Sequence, residues 1–314
     1  MRPFLLALLL VLAGCRPAVR PVREHGGPLR VVATTSLIGD LARQIGGPSV
    51  AVEALMGPGV DPHVYKASEG DVLRMADADL VLYHGLHLEG RMADLFERMN
   101  DLGWRTAAVT RTIPVEMLHH APSRPGAHDP HVWFDVRLWQ RCAQAVEDAF
   151  VALDPSQANA YRARGTAYRA RLDTLDAWVR AEIARIPPPR RVLITAHDAF
   201  GYFGTAYGVR VVGLQGLSTA TEAGTADVQR LADLLVTTGV PAVFVESSVS
   251  PRTIEAVVAA VRARGGQVRI GGSLYSDALG AAGSGADTYV GMVRANVRSL
   301  VDALGGERSV LSSL

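Results

Sequence analysis

Eight short runs of β-branched and apolar residues, in two groups of four, alternate along this chain with segments of helical spacing. The first group is LRVVATT (29–35), VAVEAL (50–55), DLVLYHG (79–85) and RTAAVT (105–110). The second is RVLITA (191–196), VRVVGL (209–214), PAVFVES (241–247) and QVRIGG (267–272). Near-continuous apolar runs suit parallel strands covered on both faces, since a strand with one wet face would alternate. Between the runs, segments such as Ile38 to Gly46 and Met92 to Leu102 carry the helical pattern. The alternation predicts an α/β fold of two lobes, each a small, mostly parallel four-stranded sheet flanked by helices.

The stretch between the two groups is different. Asp154-Pro155 reads as an N-cap followed by proline at the first helical position. From there to Ile186 only Gly165 interrupts, and the triple proline 187–189 ends the run. Tyr161, Tyr168, Leu172, Leu175, Val179 and Ile186 fall on one stripe. A helix over 154–186 would reach roughly 48 Å, long enough to run the height of both lobes. It divides the chain into an N-terminal lobe (29–153), a linking helix (154–186) and a C-terminal lobe (187–314). One stiff connector favours small lobe shifts over wide hinge closure.

The first fifteen residues read as a targeting segment, outside the fold. Arg2 supplies a positive start, Phe4 to Leu12 is almost wholly apolar, and Leu12-Ala13-Gly14-Cys15 follows. The apolar run is too short to cross ~30 Å of hydrocarbon as a helix. Small residues before a cysteine resemble the lipobox of bacterial lipoproteins, which makes Cys15 the expected lipidation site. Residues 16–28, rich in Pro, Gly and Arg, then form a tether. With Cys15 lipidated, the one other cysteine, Cys142, has no partner and reads as a small buried hydrophobe. The chain is thus expected to be exported and held at a membrane by its lipid alone. Thirty-two basic residues against 31 acidic ones leave no strong field to attract nucleic acid.

One motif occurs twice, as Asp61-Pro62-His63-Val64-Tyr65 and Asp129-Pro130-His131-Val132-Trp133. Such recurrence is improbable by chance with nine histidines in the chain. Proline restricts the backbone before each histidine, and the aspartate two residues upstream can orient it. Both copies follow strands of the first group, where open α/β sheets place ligands. The second group offers a matching pair: His197 at the end of RVLITA, and Asp277 shortly after the last strand. Asp277 has a plainer alternative role, capping a helix near Ala278. Three imidazoles and one carboxylate converging across a cleft suit zinc or another borderline divalent ion, and suit neither calcium nor copper(I). Asp61, Asp129 and Asp198 are candidates to hold the outer nitrogens of the rings. Glu246, at the end of PAVFVES, reads equally as such an acid, a spare ligand or a surface ion pair.

The segments DPHVYKAS, GLHLE, DPHVWFD, TAHDAFGYF, GLQGLSTATEAG, FVESSVSPRTIEA and LYSDALG resemble the metal-specific substrate-binding lipoproteins of ABC transporters. These are the TroA/ZnuA/PsaA-like zinc and manganese receptors, solute-binding protein family 9. The resemblance runs from about residue 30 to the C-terminus. It implies two α/β lobes joined by a long helix, and metal ligands at His63, His131, His197 and Asp277. It further implies delivery of the ion to a membrane permease powered by an ATPase, by a monomeric carrier that is not an enzyme.

Zinc is the first expectation for the ion and manganese the second, with iron(II) left open. Binding needs unprotonated imidazoles, so affinity should weaken as pH falls through the histidine range near ~6.5. The rival readings are a metal-stiffened adhesin or structural lipoprotein, a zinc hydrolase with Asp198 as base, and a haem or siderophore receptor. His84 and His87 read as a polar loop at a strand end. His119, His120 and His128, in the loop 114–130, read as weak auxiliary metal contacts.

Overall fold

A computed structural model describes residues 27–121 and 126–305. Cys15, most of the tether, the loop residues 122–125 and the last nine residues lie outside the described part. Among the described residues, no helix is long and apolar enough to cross a membrane.

The first half runs β1 (Leu29–Ala33), α1 (Ser36–Gly46), β2 (Val50–Ala54), α2 (Glu69–Asp77), β3 (Leu80–Tyr83), α3 (Ala93–Asp101), β4 (Thr106–Ala108) and α4 (Val136–Leu153). Its four strands form one parallel sheet in the order β2-β1-β3-β4. Local chemistry sets the helix starts. The Thr35 hydroxyl accepts the Ile38 N–H, Ser68 and Asp71 form a reciprocal capping box, and Asp135 accepts the Arg137 N–H. One face of the sheet packs on a small cluster of Val32, Met56, Met75, Val81, Phe96 and neighbours. The other joins the main core.

The long helix α5 spans Ala158–Ala184. A turn of 3-10 helix over Pro155–Gln157 leads into it, so the helical run begins at Pro155 behind Asp154 as expected, its first turn being 3-10. Asp154 does not cap the backbone, because its carboxylate takes the hydroxyls of Ser156 and Tyr161 instead. The expected stripe is buried, from Tyr161 to Ile186. Gly165 has a packing reason: a Cβ there would overlap the Glu147 carboxylate, which reaches in from α4 to meet Arg169 at 2.7 Å. Cys142, on α4, is fully buried and unpaired.

The second half runs β5 (Val192–His197), α6 (Gly201–Tyr207), β6 (Arg210–Gln215), α7 (Thr225–Thr238), β7 (Ala242–Glu246), α8 (Arg252–Ala263), β8 (Arg269–Leu274) and α9 (Tyr289–Leu304). Its four strands occur as two parallel hydrogen-bonded pairs, β5-β6 and β7-β8, with β5 lying beside β7. At the end of that seam a side chain takes the place of a ladder bond, the His197 N–H donating to Glu246 Oε1 at 2.8 Å. Gly213 on β6 allows the chain to turn away after His197, since a Cβ there would sit 2.5 Å from the Asp198 nitrogen. α5 packs against α1 and α4 on one side and α6 and α9 on the other, and the main core is continuous through both halves.

Candidate metal centre

The carboxyl ends of the two strand systems face each other. His63 and His131 lie on loops after β2 and β4, His197 is the last residue of β5, and Asp277 follows β8 by three residues. No helix starts at Ala278, so the capping role for Asp277 does not arise. All four side chains are buried, and one ligand atom from each lies within 4.8 Å of the others. The three ring centroids are 5.2–5.8 Å apart. His63 Nε2 stands 3.1 Å from His131 Nε2. Asp277 turns Oδ1 towards His131 Nε2 at 3.7 Å and Oδ2 towards His197 Nε2 at 3.5 Å.

The repeated motif repeats its local structure. Asp61 Oδ1 accepts the His63 N–H and Asp129 Oδ1 accepts the His131 N–H, both at 2.9 Å, the bond of an Asx turn. The copies then diverge. Asp129 Oδ1 also meets His131 Nδ1 at 2.7 Å, while Asp61 gives its second oxygen to the Thr219 hydroxyl at 2.5 Å. Glu246 does for His197 what Asp129 does for His131: it accepts the backbone N–H and lies 2.6 Å from Nδ1. A carboxylate beside Nδ1 favours a proton there and leaves Nε2 as the inward-facing atom that a metal would take when the ring is neutral. His63 Nε2 and His131 Nε2 approach to 3.1 Å beside the Asp277 carboxylate, a buried set of nitrogen and oxygen donors that fits a metal ion. Asp198 places its carboxylate on no ring, and no side-chain hydrogen bond to it is seen among the described residues. Burial, reinforced by nearby Asp129, raises its pKa.

The electrostatics are uneven. Burial pushes His63 down to about 3, although Asp277 pulls the other way. Burial also opposes charge on His197, but the Glu246 and Asp277 carboxylates outweigh it and hold the ring well above its usual value. Asp277 is the mirror case: burial favours its neutral form, and His197 and the other imidazoles draw it well below the carboxylate range. In the metal-free protein, protonation therefore favours His197 over His63.

Several supporting residues had no sequence signal. His84, read as a loop residue, is buried: its Nε2 donates to the Pro130 carbonyl at 2.6 Å and its ring meets Trp133 edge-on. The turn Gly85-Leu86-His87, left-handed at φ 90°, 53° and 62°, folds the chain back so that buried Glu89 accepts from the Thr34 hydroxyl and the His84 N–H. Trp133 donates Nε1 to the Ser276 carbonyl at 3.0 Å, tying the second motif to the residue before Asp277. Asn296 of α9 brackets Tyr275 through both its N–H (2.9 Å) and its C=O (2.7 Å), and the Ser248 hydroxyl reaches Asp277 Oδ2 at 3.0 Å. His119 stacks on Tyr202, and His120 stacks on His128 across an isolated bridge. None of these three histidines joins the cluster.

His84 supplies a pH prediction. Burial lowers its pKa to about 3, so below ~6.5 the unfolded chain takes up a proton that the folded protein refuses. Stability is complete above that range and falls as pH drops towards 3. In denaturant melts of metal-free protein, wild type should lose about 2 kcal/mol more than His84→Gln between pH 7 and pH 5. Gln keeps the donor to Pro130 without titrating. Equal losses would show that His84 is not held neutral.

The sequence pattern of the family described as "ZnuA: Zinc-uptake complex component A periplasmic" matches residues 31–303. The chain belongs to that family. The manganese-binding lipoprotein MntA of Bacillus subtilis (strain 168) is 50% identical over 277 residues, covering 88% of this chain and 90% of MntA. The solved periplasmic zinc-binding protein TroA of Treponema pallidum superposes with a TM-score of 0.86 at 47% identity, over 88% of this chain and 99% of TroA. Fe(III)-bound YtgA of Chlamydia trachomatis gives 0.80 at 25% identity, over 89% and 99%. Family members are thus substrate-binding proteins of metal transport, and the two-lobe α/β architecture is theirs.

Proposed function

We propose that this protein is an exported solute-binding protein that captures one divalent transition metal, zinc or manganese, and delivers it to an ABC permease driven by an ATPase. The observation that carries the reading is the convergence of four buried donor atoms, His63, His131, His197 and Asp277, within 4.8 Å. The names of MntA and TroA support the same range of ions. Asp277 presents both oxygens, so the set can close four-coordinate around zinc or widen around manganese. Four protein ligands leave no position for an activated water, which favours a carrier over a hydrolase. The lobes are taken as 29–153 and 187–314, joined by 154–186, because the two strand systems fall on either side of α5. A lipid on Cys15 would make the only membrane contact, and the carrier would act as a monomer.

Elemental analysis of protein purified without added metal, followed by zinc–manganese competition, tests the reading. One ion per chain is expected, with zinc displacing manganese at equal concentration, as the affinity order of divalent metals requires. Equal affinities would overturn the zinc preference. Absence of any stoichiometric metal, even after loading, would overturn the receptor.

A further inference from the structure

His63 is held differently from the other two imidazoles. Carboxylates hold the backbone N–H of both His131 and His197 and lie 2.6–2.7 Å from their Nδ1 atoms. His63 is gripped by its backbone alone, through Asp61 Oδ1, and among the described residues no carboxylate accepts from its Nδ1. It is also the outermost ligand, 6% exposed where the other three are at 0–1%. His63 lines the surface cleft whose walls include Leu86, His87 and Arg91 and the segment Leu217, Ser218 and Ala220. An ion leaving by this cleft passes His63 last.

The second oxygen of Asp61 is claimed from the opposite lobe. Thr219, on the loop after β6, donates its hydroxyl to Asp61 Oδ2 at 2.5 Å, across 158 positions of sequence. Its loop neighbours Ser218, Ala220, Thr221 and Glu222 are exposed. Asp61 is therefore a two-ended bridge, with the His63 backbone on one oxygen and the far lobe on the other. We propose that Thr219 is a positioning residue that holds Asp61, and through it His63, and so governs the rate at which the bound ion is released. Separation of this one hydroxyl from Asp61 loosens the ligand with the weakest grip and leaves the carboxylate-held pair in place. Release thus begins at His63, on the face that carries the cleft. The inference rests on the metal-receptor reading and deepens it.

The test uses the mature chain loaded with zinc and a large excess of a competing chelator, following first-order loss of the ion. Thr219→Val keeps the β-branched shape without the hydroxyl, and Thr219→Ser keeps the hydroxyl. Thr219→Val should release zinc about tenfold faster than wild type, and Thr219→Ser should stay within about twofold, the scale of effects for groups that orient metal ligands. Both variants should still take one zinc per chain and melt, metal-free, with wild type. A Thr219→Val rate equal to wild type, or a Thr219→Ser rate as fast as Thr219→Val, overturns the role of the hydroxyl. So does a lowered melting point in Thr219→Val that Thr219→Ser shares. Wild-type protein that holds no zinc before chelator is added would instead defeat the receptor reading, an outcome separate from these.

Discussion

Asp277→Ala should bind zinc at least 10²- to 10³-fold more weakly than wild type while keeping its fold. Structural zinc sites bind with about 10–16 kcal/mol, so one ligand of four carries roughly 3 kcal/mol or more. Asp277 should sit at the high end, because it is the one anion of the four donors. The fold is spared because His197 keeps Glu246 at 2.6 Å and the hydroxyls that hold Asp277 have each other: Ser248 Oγ already lies 2.7 Å from Ser276 Oγ. Asn296 and Trp133 continue to fix Tyr275 and Ser276 through backbone atoms. Asp277→Asn keeps the shape without the charge and should fall between the two. Competition against a chromophoric chelator reads the affinities, and an alanine variant within tenfold of wild type would remove Asp277 from the ligand set.

His197→Ala should damage the metal-free fold itself. His197 stands between two buried carboxylates, 2.6 Å from Glu246 and 3.5 Å from Asp277, with all three side chains sealed from solvent. Removing the imidazolium leaves both anions with hydrogen bonds but without the cation between them, and a broken buried pair costs about 3–5 kcal/mol. Falling pH should relieve part of the loss. A carboxylate buried without its partner has a raised pKa, so the folded variant takes up protons that the unfolded chain does not yet bind. Its stability relative to wild type therefore rises between pH 7 and pH 5. His63→Ala, at the cleft edge and touching no carboxylate through its ring, should show neither effect. Denaturant melts of the three metal-free proteins at both pH values decide the matter. Equal stabilities of His197→Ala and His63→Ala would mean that the acids are not charged in the folded state.

The strands were legible because β-branched runs covered on both faces leave an unbroken apolar signature, and all eight formed within two residues of the expected ends. The four clustered side chains were legible because the motif repeats and strand ends are marked. What sequence could not carry was contact across the molecule. Glu246 reads equally as a surface ion pair until β7 is laid beside β5. His84 looks like a loop residue because its partner, the Pro130 carbonyl, is 46 positions away. Thr219 carries no local signal, since a hydroxyl in a Gly- and Thr-rich loop has many ordinary uses. Even the repeat misleads in part: identical Asp-Pro-His segments give Asp129 to a ring and Asp61 to the opposite lobe. Asp154 stands at the expected N-cap position with Pro155 after it, yet two nearby hydroxyls outcompete the backbone for its carboxylate.

The four donors are spread from position 63 to position 277, and the last is fixed by Asn296, within the final helix. A chain emerging amino end first has at most three of them until nearly its whole length is out, and the fourth is unplaced until α9 docks. The complete donor set therefore exists only once the whole chain has folded. Tight capture by all four donors thus belongs to the finished molecule, in whichever compartment folding is completed.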